Sequence, residues 1–200
     1  MLPLANHETL ETSLIEFVKS AIKAGVDMVQ IRERDLSARE VYSLIEAVMP
    51  EARARNAQVL VNDRADVAAC ASSGVHLTTS SMPARIVRAV FGSEMCMGVS
   101  THDMDEALAA EQGGADFIVF GPVFETESKR AFGPPVGISA LRGVAERVKI
   151  PVIALGGIKI GNFRQALAAG AAGIAAISLF AGCEDMSSLV KEIKDFASAG

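Results

Sequence analysis

Residues 151–178, PVIALGGIKIGNFRQALAAGAAGIAAIS, decide how the chain is built. They open on one continuous apolar run, PVIALGG (151–157), and close on another, AGIAAIS (172–178). Neither alternates apolar with polar residues, so each reads as a strand buried on both faces. Between them, Gly161 or Asn162 starts a helix that ends at Gly170. A strand, a helix and a second strand form a parallel crossover unit. The same alternation extends back along the chain through VDMVQIR (26–32), QVLVND (58–63), GVHL (74–77), MCMGVS (95–100) and DFIVFGPV (116–123). Leu10, Leu14, Phe17, Val18, Ala21 and Ile22 share one helical face ahead of Gly25, a C-terminal stop. Val41, Leu44, Ile45 and Val48 form a second stripe, Ala107, Leu108 and Ala110 a shorter third, and Asp185 starts a last helix. Seven strands are credible, and only residues 1–5 offer an eighth. Eight would close a (β/α)8 barrel, whereas fewer would leave an open doubly wound sheet. No Gly-x-Gly-x-x-Gly follows the first strand, which argues against a dinucleotide site.

Half of the 200 residues are hydrophobic, enough to bury a large core. No linker or low-complexity tract interrupts the alternation, so residues 1–200 read as one domain. A net charge of −5 with interspersed signs argues against a nucleic-acid partner. Cys70, Cys96 and Cys183 read as buried thiols of a reducing compartment, neither a disulfide frame nor a zinc site. MLPLANHETLE has no basic region, and the apolar stretch 168–182 is too short and Gly-rich to span a membrane. A cytoplasmic protein with no membrane partner is expected. A homo-oligomer is possible, although no helix face stands out as a docking surface.

In either architecture ligands sit beyond the C-terminal ends of the strands, so chemistry should gather there. The first strand ends with Gln30, Arg32 and Arg34, alternate residues that project to one side. Two guanidiniums aimed together suit a diphosphate, or they are surface charges paired with Glu33 and Asp35. Asn62 and Asp63 follow: Asn62 suits phosphate oxygens, and Asp63 suits Mg²⁺ or the cap of a short helix near Asp66. Thr78, Thr79, Ser80 and Ser81 end the third apolar run, as a ligand site or as a polar turn capping the helix near Pro83. Ser100, Thr101 and His102 end another; His102 either handles a proton or phosphate, or merely precedes a helix begun by Asp103 and Asp105. GPVFETESKRAFGPP (121–135) is a lid or a solvated loop, with Thr126, Ser128 and Lys129 placed to hold a phosphate. The last two runs end in Gly156-Gly157 and Ile177-Ser178, where glycine lets backbone N–H groups approach an anion. Two anion sites result, one of Arg32, Arg34, Asn62 and Lys129, the other of Gly156, Gly157 and Ser178. They suit phosphorylated small-molecule substrates.

In order, QIRER, VNDRADVA, GVHL, GVSTHDMDEA, GADFIVFGPVFETESK, PVIALGGI-x3-N and GAAGIAAIS resemble the motifs of the thiamine phosphate synthase and TenI-type thiazole tautomerase family. The resemblance covers the chain from about Leu10 to its last helix. It implies a (β/α)8 TIM barrel with parallel strands, the first strand short or missing at the N-terminus. It also implies a transferase that joins hydroxymethylpyrimidine diphosphate to thiazole phosphate, with Mg²⁺ helping diphosphate to leave. By motif, Gln30 would contact the pyrimidine, and Arg32, Arg34, Asn62 and Lys129 would hold the diphosphate. Asp63 would bind Mg²⁺, and Ser100 would lie near the pyrimidine and leaving group. Thr126 and Ser128, with the backbone of Gly157 and Ser178, would cradle the thiazole phosphate. Three features depart from the family pattern: the front of the chain, where MLPLANHE (1–8) offers at most a stub of the first strand, and two site positions, while Pro122 is synthase-like. Arg34 stands where Lys is usual. The third strand runs into TTSS instead of Gly-Gln-x-Asp, so Ser81 occupies the place of a second magnesium carboxylate, and a weakened metal site is expected. Pro122 stands where the tautomerase branch carries a catalytic His. The alternatives implied are a thiazole tautomerase or a non-catalytic barrel that binds a phosphorylated thiamine precursor.

Overall fold

A computed structural model describes residues 7–33, 35–126 and 134–198, with side chains from Thr12 onward. All seven expected strands form: β1 (Met28–Ile31), β2 (Gln58–Asn62), β3 (Gly74–Leu77), β4 (Met97–Thr101), β5 (Phe117–Phe120), β6 (Val152–Leu155) and β7 (Gly173–Ala175). Between and around them lie α1 (His7–Lys23), α2 (Ala38–Arg55), α3 (Ala65–Cys70), α4 (Ala84–Phe91), α5 (Met104–Gln112), α6 (Gly137–Arg147), α7 (Phe163–Ala168), α8 (Ser178–Ala181) and α9 (Met186–Ser198). The helix ends follow local chemistry. Ser37 and Glu40 form a capping box on α2, Asp103 accepts the Glu106 N–H at the start of α5, and Asp185 accepts from Ser188 at the start of α9. Gly25 and Gly170, both at φ +95°, end α1 and α7 in the left-handed region where a Cβ is unwelcome.

Every strand pairs parallel to its sequence neighbour, in the order β1-β2-β3-β4-β5-β6-β7. This order never reverses, so there is no switch point of the doubly wound kind, and the sheet is wound as barrels are. Two apolar layers cover its outer face. Val18, Ile22, Val41, Leu44, Ile45 and Val48 pack on β1–β4, and Leu141, Val144, Phe163, Ala166, Leu189 and Ile193 pack on the second half of the sheet. Phe17, expected on the buried stripe of α1, is 40% exposed.

On the other face Leu60, Phe117 and Val119 pack together with Met28, Cys96, Ile153 and Leu155. The cluster's own members, Leu60 on β2 with Phe117 and Val119 on β5, would in a flat sheet stand three strand spacings or about 14 Å apart, beyond the reach of their side chains. The sheet is therefore curled, with its helices outside and these side chains within. The two edges approach a common helix. From α9, which follows β7, Lys194 donates to Asp27 Oδ1 at 2.6 Å just before β1, and Val190 lies 3.6 Å from where a Cβ on Gly25 would stand. The same helix joins α7 through the Arg164–Glu192 ion pair and an edge-to-face contact of Phe163 with Phe196. The expected strand at residues 1–5 lies outside the described residues. Among the described residues, no helix is long and apolar enough to cross a membrane.

Candidate active site

Residues paired across a parallel ladder project to the same face, so the register assigns the inner side chains. Gln30 pairs with Leu60, Asn62 with His76, and His76 with Gly98; Ser100 pairs with Val119. The lower inner layer is apolar. A Cβ on Gly98 would run into the Phe117 ring, so the missing side chain makes room for that ring across β4. Two residues further along each strand the character changes. Gln30 follows Met28, Asn62 follows Leu60, and Ser100 follows Gly98, about 7 Å towards the C-terminal ends.

These polar residues are joined in pairs. Gln30 Nε2 donates to Asn62 Oδ1 at 3.0 Å, and Ser100 Oγ lies 3.1 Å from His76 Nε2. His76 is 5% exposed. Burial, and secondarily the charge of Arg32, push its pKa down from 6.5 to about 4, so the ring is neutral at pH 7. Arg32 itself is exposed beyond the end of β1, where its field reaches the same ring. His76 was not among the sequence candidates. Within the apolar run GVHL it reads as core, and the only signal for it is its strand parity with Asn62 and Ser100.

Asp63 is exposed in the left-handed region at φ +65°, where aspartate is tolerated. Its N–H donates to His76 O at 2.9 Å, tying this corner to β3. The carboxylate has no hydrogen-bond partner among the described residues. It does not cap α3, whose cap position is held by Arg64 with no side-chain bond. Arg64 instead pairs with Asp66, lowering the pKa of that carboxyl group through the hydrogen bond. No group of three His, Cys, Asp or Glu residues suited to a metal occurs among the described residues.

The hydroxyl stretch after β3 closes on itself. Ser81 Oγ accepts the Thr78 N–H at 2.7 Å, and Thr78 Oγ1 lies 3.0 Å from Ser80 Oγ and 3.1 Å from Ser81 Oγ. Pro83 holds the cap position of α4 without a side-chain bond, so these hydroxyls stabilise a turn and do not cap the helix. His102 Nδ1 lies 3.0 Å from Glu106 Oε2 on the exposed start of α5, the helix-entry arrangement that Asp103 suggested.

The opposite side of the mouth is made by backbone. Gly156 (φ +97°) and Gly157 (φ +66°) follow β6. A Cβ on Gly156 would stand 2.5 Å from Pro122 Cα, and one on Gly157 2.5 Å from Glu125 O, so only glycine allows this approach. Val123 N–H donates to Leu155 O at 2.8 Å and Phe124 N–H to Gly156 O at 3.0 Å, bringing residues 123–125 against the glycines. Pro122 follows a cis peptide bond. Ser178, exposed, begins α8 after β7. Arg34, Ser128 and Lys129 lie outside the described residues.

Fold and site together define a barrel-wound α/β protein with its polar groups gathered at the C-terminal strand ends. The thiamine monophosphate synthase family model matches residues 2–180, and the chain belongs to that family. A relative from Geobacter sulfurreducens is 47% identical over 173 residues, covering 86% of this chain and 81% of its own. The thiamine-phosphate synthase of Roseiflexus castenholzii is 37% identical over 189 residues, covering 94% of this chain and 83% of its own. Thiamine phosphate pyrophosphorylase from Pyrococcus furiosus superposes with a TM-score of 0.83 at 33% identity, over 92% of this chain and 89% of that one.

Proposed function

We propose that this chain is a thiamine-phosphate synthase, a transferase that joins hydroxymethylpyrimidine diphosphate to thiazole phosphate and releases diphosphate in thiamine biosynthesis. One observation carries this reading: near-full-length similarity to thiamine-phosphate synthases at 37% identity and above. The polar inner layer supports it. In this reading Gln30 and Ser100 face the pyrimidine, and Arg32, Arg34, Asn62 and Lys129 hold the diphosphate. Loss of diphosphate leaves a pyrimidine-stabilised carbocation, which the thiazole nitrogen attacks. Cations preorganised around the leaving oxygens lower that barrel-mouth barrier most, because charge develops there in the transition state. His76 orients Ser100 and, being neutral, adds no positive charge beside the developing carbocation. Thr126, Ser128, Gly157 and Ser178 cradle the thiazole phosphate.

Mg²⁺ commonly binds through one or two carboxylates, substrate phosphates and water rather than in an all-protein cage. Asp63, exposed and with no side-chain hydrogen-bond partner among the described residues, fits that donor set; Ser81, whose hydroxyl is engaged by Thr78, does not. Asp63 would therefore hold the ion with diphosphate oxygens, and the ion would supply charge neutralisation of the leaving group. The isomerase alternative needs a titratable side chain at position 122, which proline lacks. The same reading completes the curled sheet as a (β/α)8 barrel with a short or missing first strand, residues 1–200 as one domain, acting in the cytoplasm.

The test is direct. Purified protein, both phosphorylated substrates and Mg²⁺ should form thiamine phosphate over many turnovers. Absence of product while thiazole phosphate still binds would refute the transferase reading.

A further inference from the structure

Asn162 occupies the N-cap position of α7, and asparagine there ordinarily accepts an N–H from the first helical turn. Here it makes no such bond. Its side chain turns back into the preceding loop instead. Nδ2 donates to Gly157 O at 2.9 Å, and Oδ1 accepts the Lys159 N–H at 2.7 Å. One half-buried amide thus fastens residues 157–159 from both sides, forgoing a cap that typically contributes about 1 kcal/mol. The peptide it holds is a constrained one. Gly157 lies at φ +66°, and a Cβ there would stand 2.7 Å from Phe124 O and 2.5 Å from Glu125 O, the residue next to Thr126 in sequence.

We propose that Asn162 is a positioning residue for substrate phosphate. By engaging the Gly157 carbonyl, it sets the direction of the adjoining peptide and seats that loop against residues 124–126. The inference rests on the reading of Gly157 and Thr126 as walls of the thiazole-phosphate subsite. Asn162 touches no substrate itself. Alanine removes both bonds. Aspartate keeps the acceptor for Lys159 N–H but faces a carboxylate oxygen to the Gly157 carbonyl, so donor and acceptor roles separate.

The test is calorimetric binding of thiazole phosphate, and of the thiazole alcohol lacking the phosphate, to wild type, Asn162→Ala and Asn162→Asp. KM is measured for each substrate in parallel. Thiazole phosphate should bind both variants at least tenfold more weakly, while the alcohol and the KM for the pyrimidine diphosphate stay within twofold. A merely structural role would lower melting temperature without that split. Equal losses for phosphate and alcohol, no loss in either variant, or no preference of wild type for the phosphate would each overturn the proposal. If wild type makes no thiamine phosphate but shows the phosphate-dependent loss, the transferase reading fails while this inference stands.

Discussion

Replacing Ser81 by aspartate adds a carboxylate in the turn after β3, the strand next to the one that Asp63 follows, at little cost to the fold. Ser81 Oγ accepts the Thr78 N–H at 2.7 Å, and the Ser81 N–H returns to Thr78 O at 3.0 Å. An aspartate oxygen can accept the same N–H three residues back, and the Ser81 N–H bond to Thr78 O is backbone only, so the turn survives. The change in stability should lie within about 0.5 kcal/mol, roughly 1–2 °C in melting temperature. The position is close to the proposed metal ligand because β2 and β3 are neighbours. Asn62 pairs with His76, and Asp63 N–H donates to His76 O, two residues before the turn begins. In a solvent-like dielectric, two unit charges at 4 Å interact by about 1 kcal/mol. A new carboxylate and a divalent ion would then gain about 2 kcal/mol, a roughly thirty-fold tighter metal.

The assay follows thiamine phosphate at saturating substrates across a Mg²⁺ titration. Half-saturation should fall about thirty-fold in Ser81→Asp. It should stay at the wild-type value in Ser81→Asn, which retains a turn acceptor without the charge. An unchanged half-saturation in a correctly folded Ser81→Asp would refute the placement, leaving the hydroxyl turn as a structural element only. An equal fall in Ser81→Asn would refute the electrostatic argument.

Two further outcomes test the scaffold. Arg88 donates to Gly114 O, Gly92 O, Met95 O and Asp116 Oδ2, so Arg88→Met should destabilise the chain by about 3 kcal/mol, read as a melting temperature roughly 6–12 °C lower. Turnover per folded molecule should be unchanged, and a parallel loss of turnover would contradict a purely structural hub. His76 has a folded pKa of about 4 against 6.5 unfolded, so the unfolded chain takes up the proton first as pH falls. Its contribution is intact above pH 6.5 and declines between 6.5 and 4, by about 3 kcal/mol in all. Denaturant melts of His76→Gln across that range should show a flatter profile, and an unaltered slope would exclude His76 as its source.

The strands were legible because burial on both faces makes each a continuous apolar run, and two-sided burial is what helices outside and packed side chains within impose. Gly25 and Gly170 were legible as stops because left-handed backbone leaves few alternatives. Pairwise chemistry was not legible in the same way. Gln30 and Asn62 stand 32 residues apart, and their bond follows from ladder register, which apolar runs specify only to within a residue or two. Hydroxyl and amide side chains are harder still. TTSS offers the same donors and acceptors to a helix end, a ligand or itself, and proximity chose the last. Asn162 was readable as a helix start, yet its side chain serves the loop behind it.

The two walls of the mouth differ in how they are specified. On the β1–β4 side, the proposed site is made of side chains that sit two residues above an apolar layer and bond one another in pairs. Ser81, expected to stand in place of a magnesium carboxylate, falls just beyond the end of β3 on this side. On the β5–β7 side, backbone does the work. Gly121, Gly156 and Gly157 each stand where a Cβ would meet Leu155 O, Pro122 or Glu125 O, so the loops are locked together by contact. A substitution there moves two loops at once. If the first wall holds metal and leaving group, as proposed, its binding can be tuned through side chains, whereas the second can be tuned only through the path of its backbone.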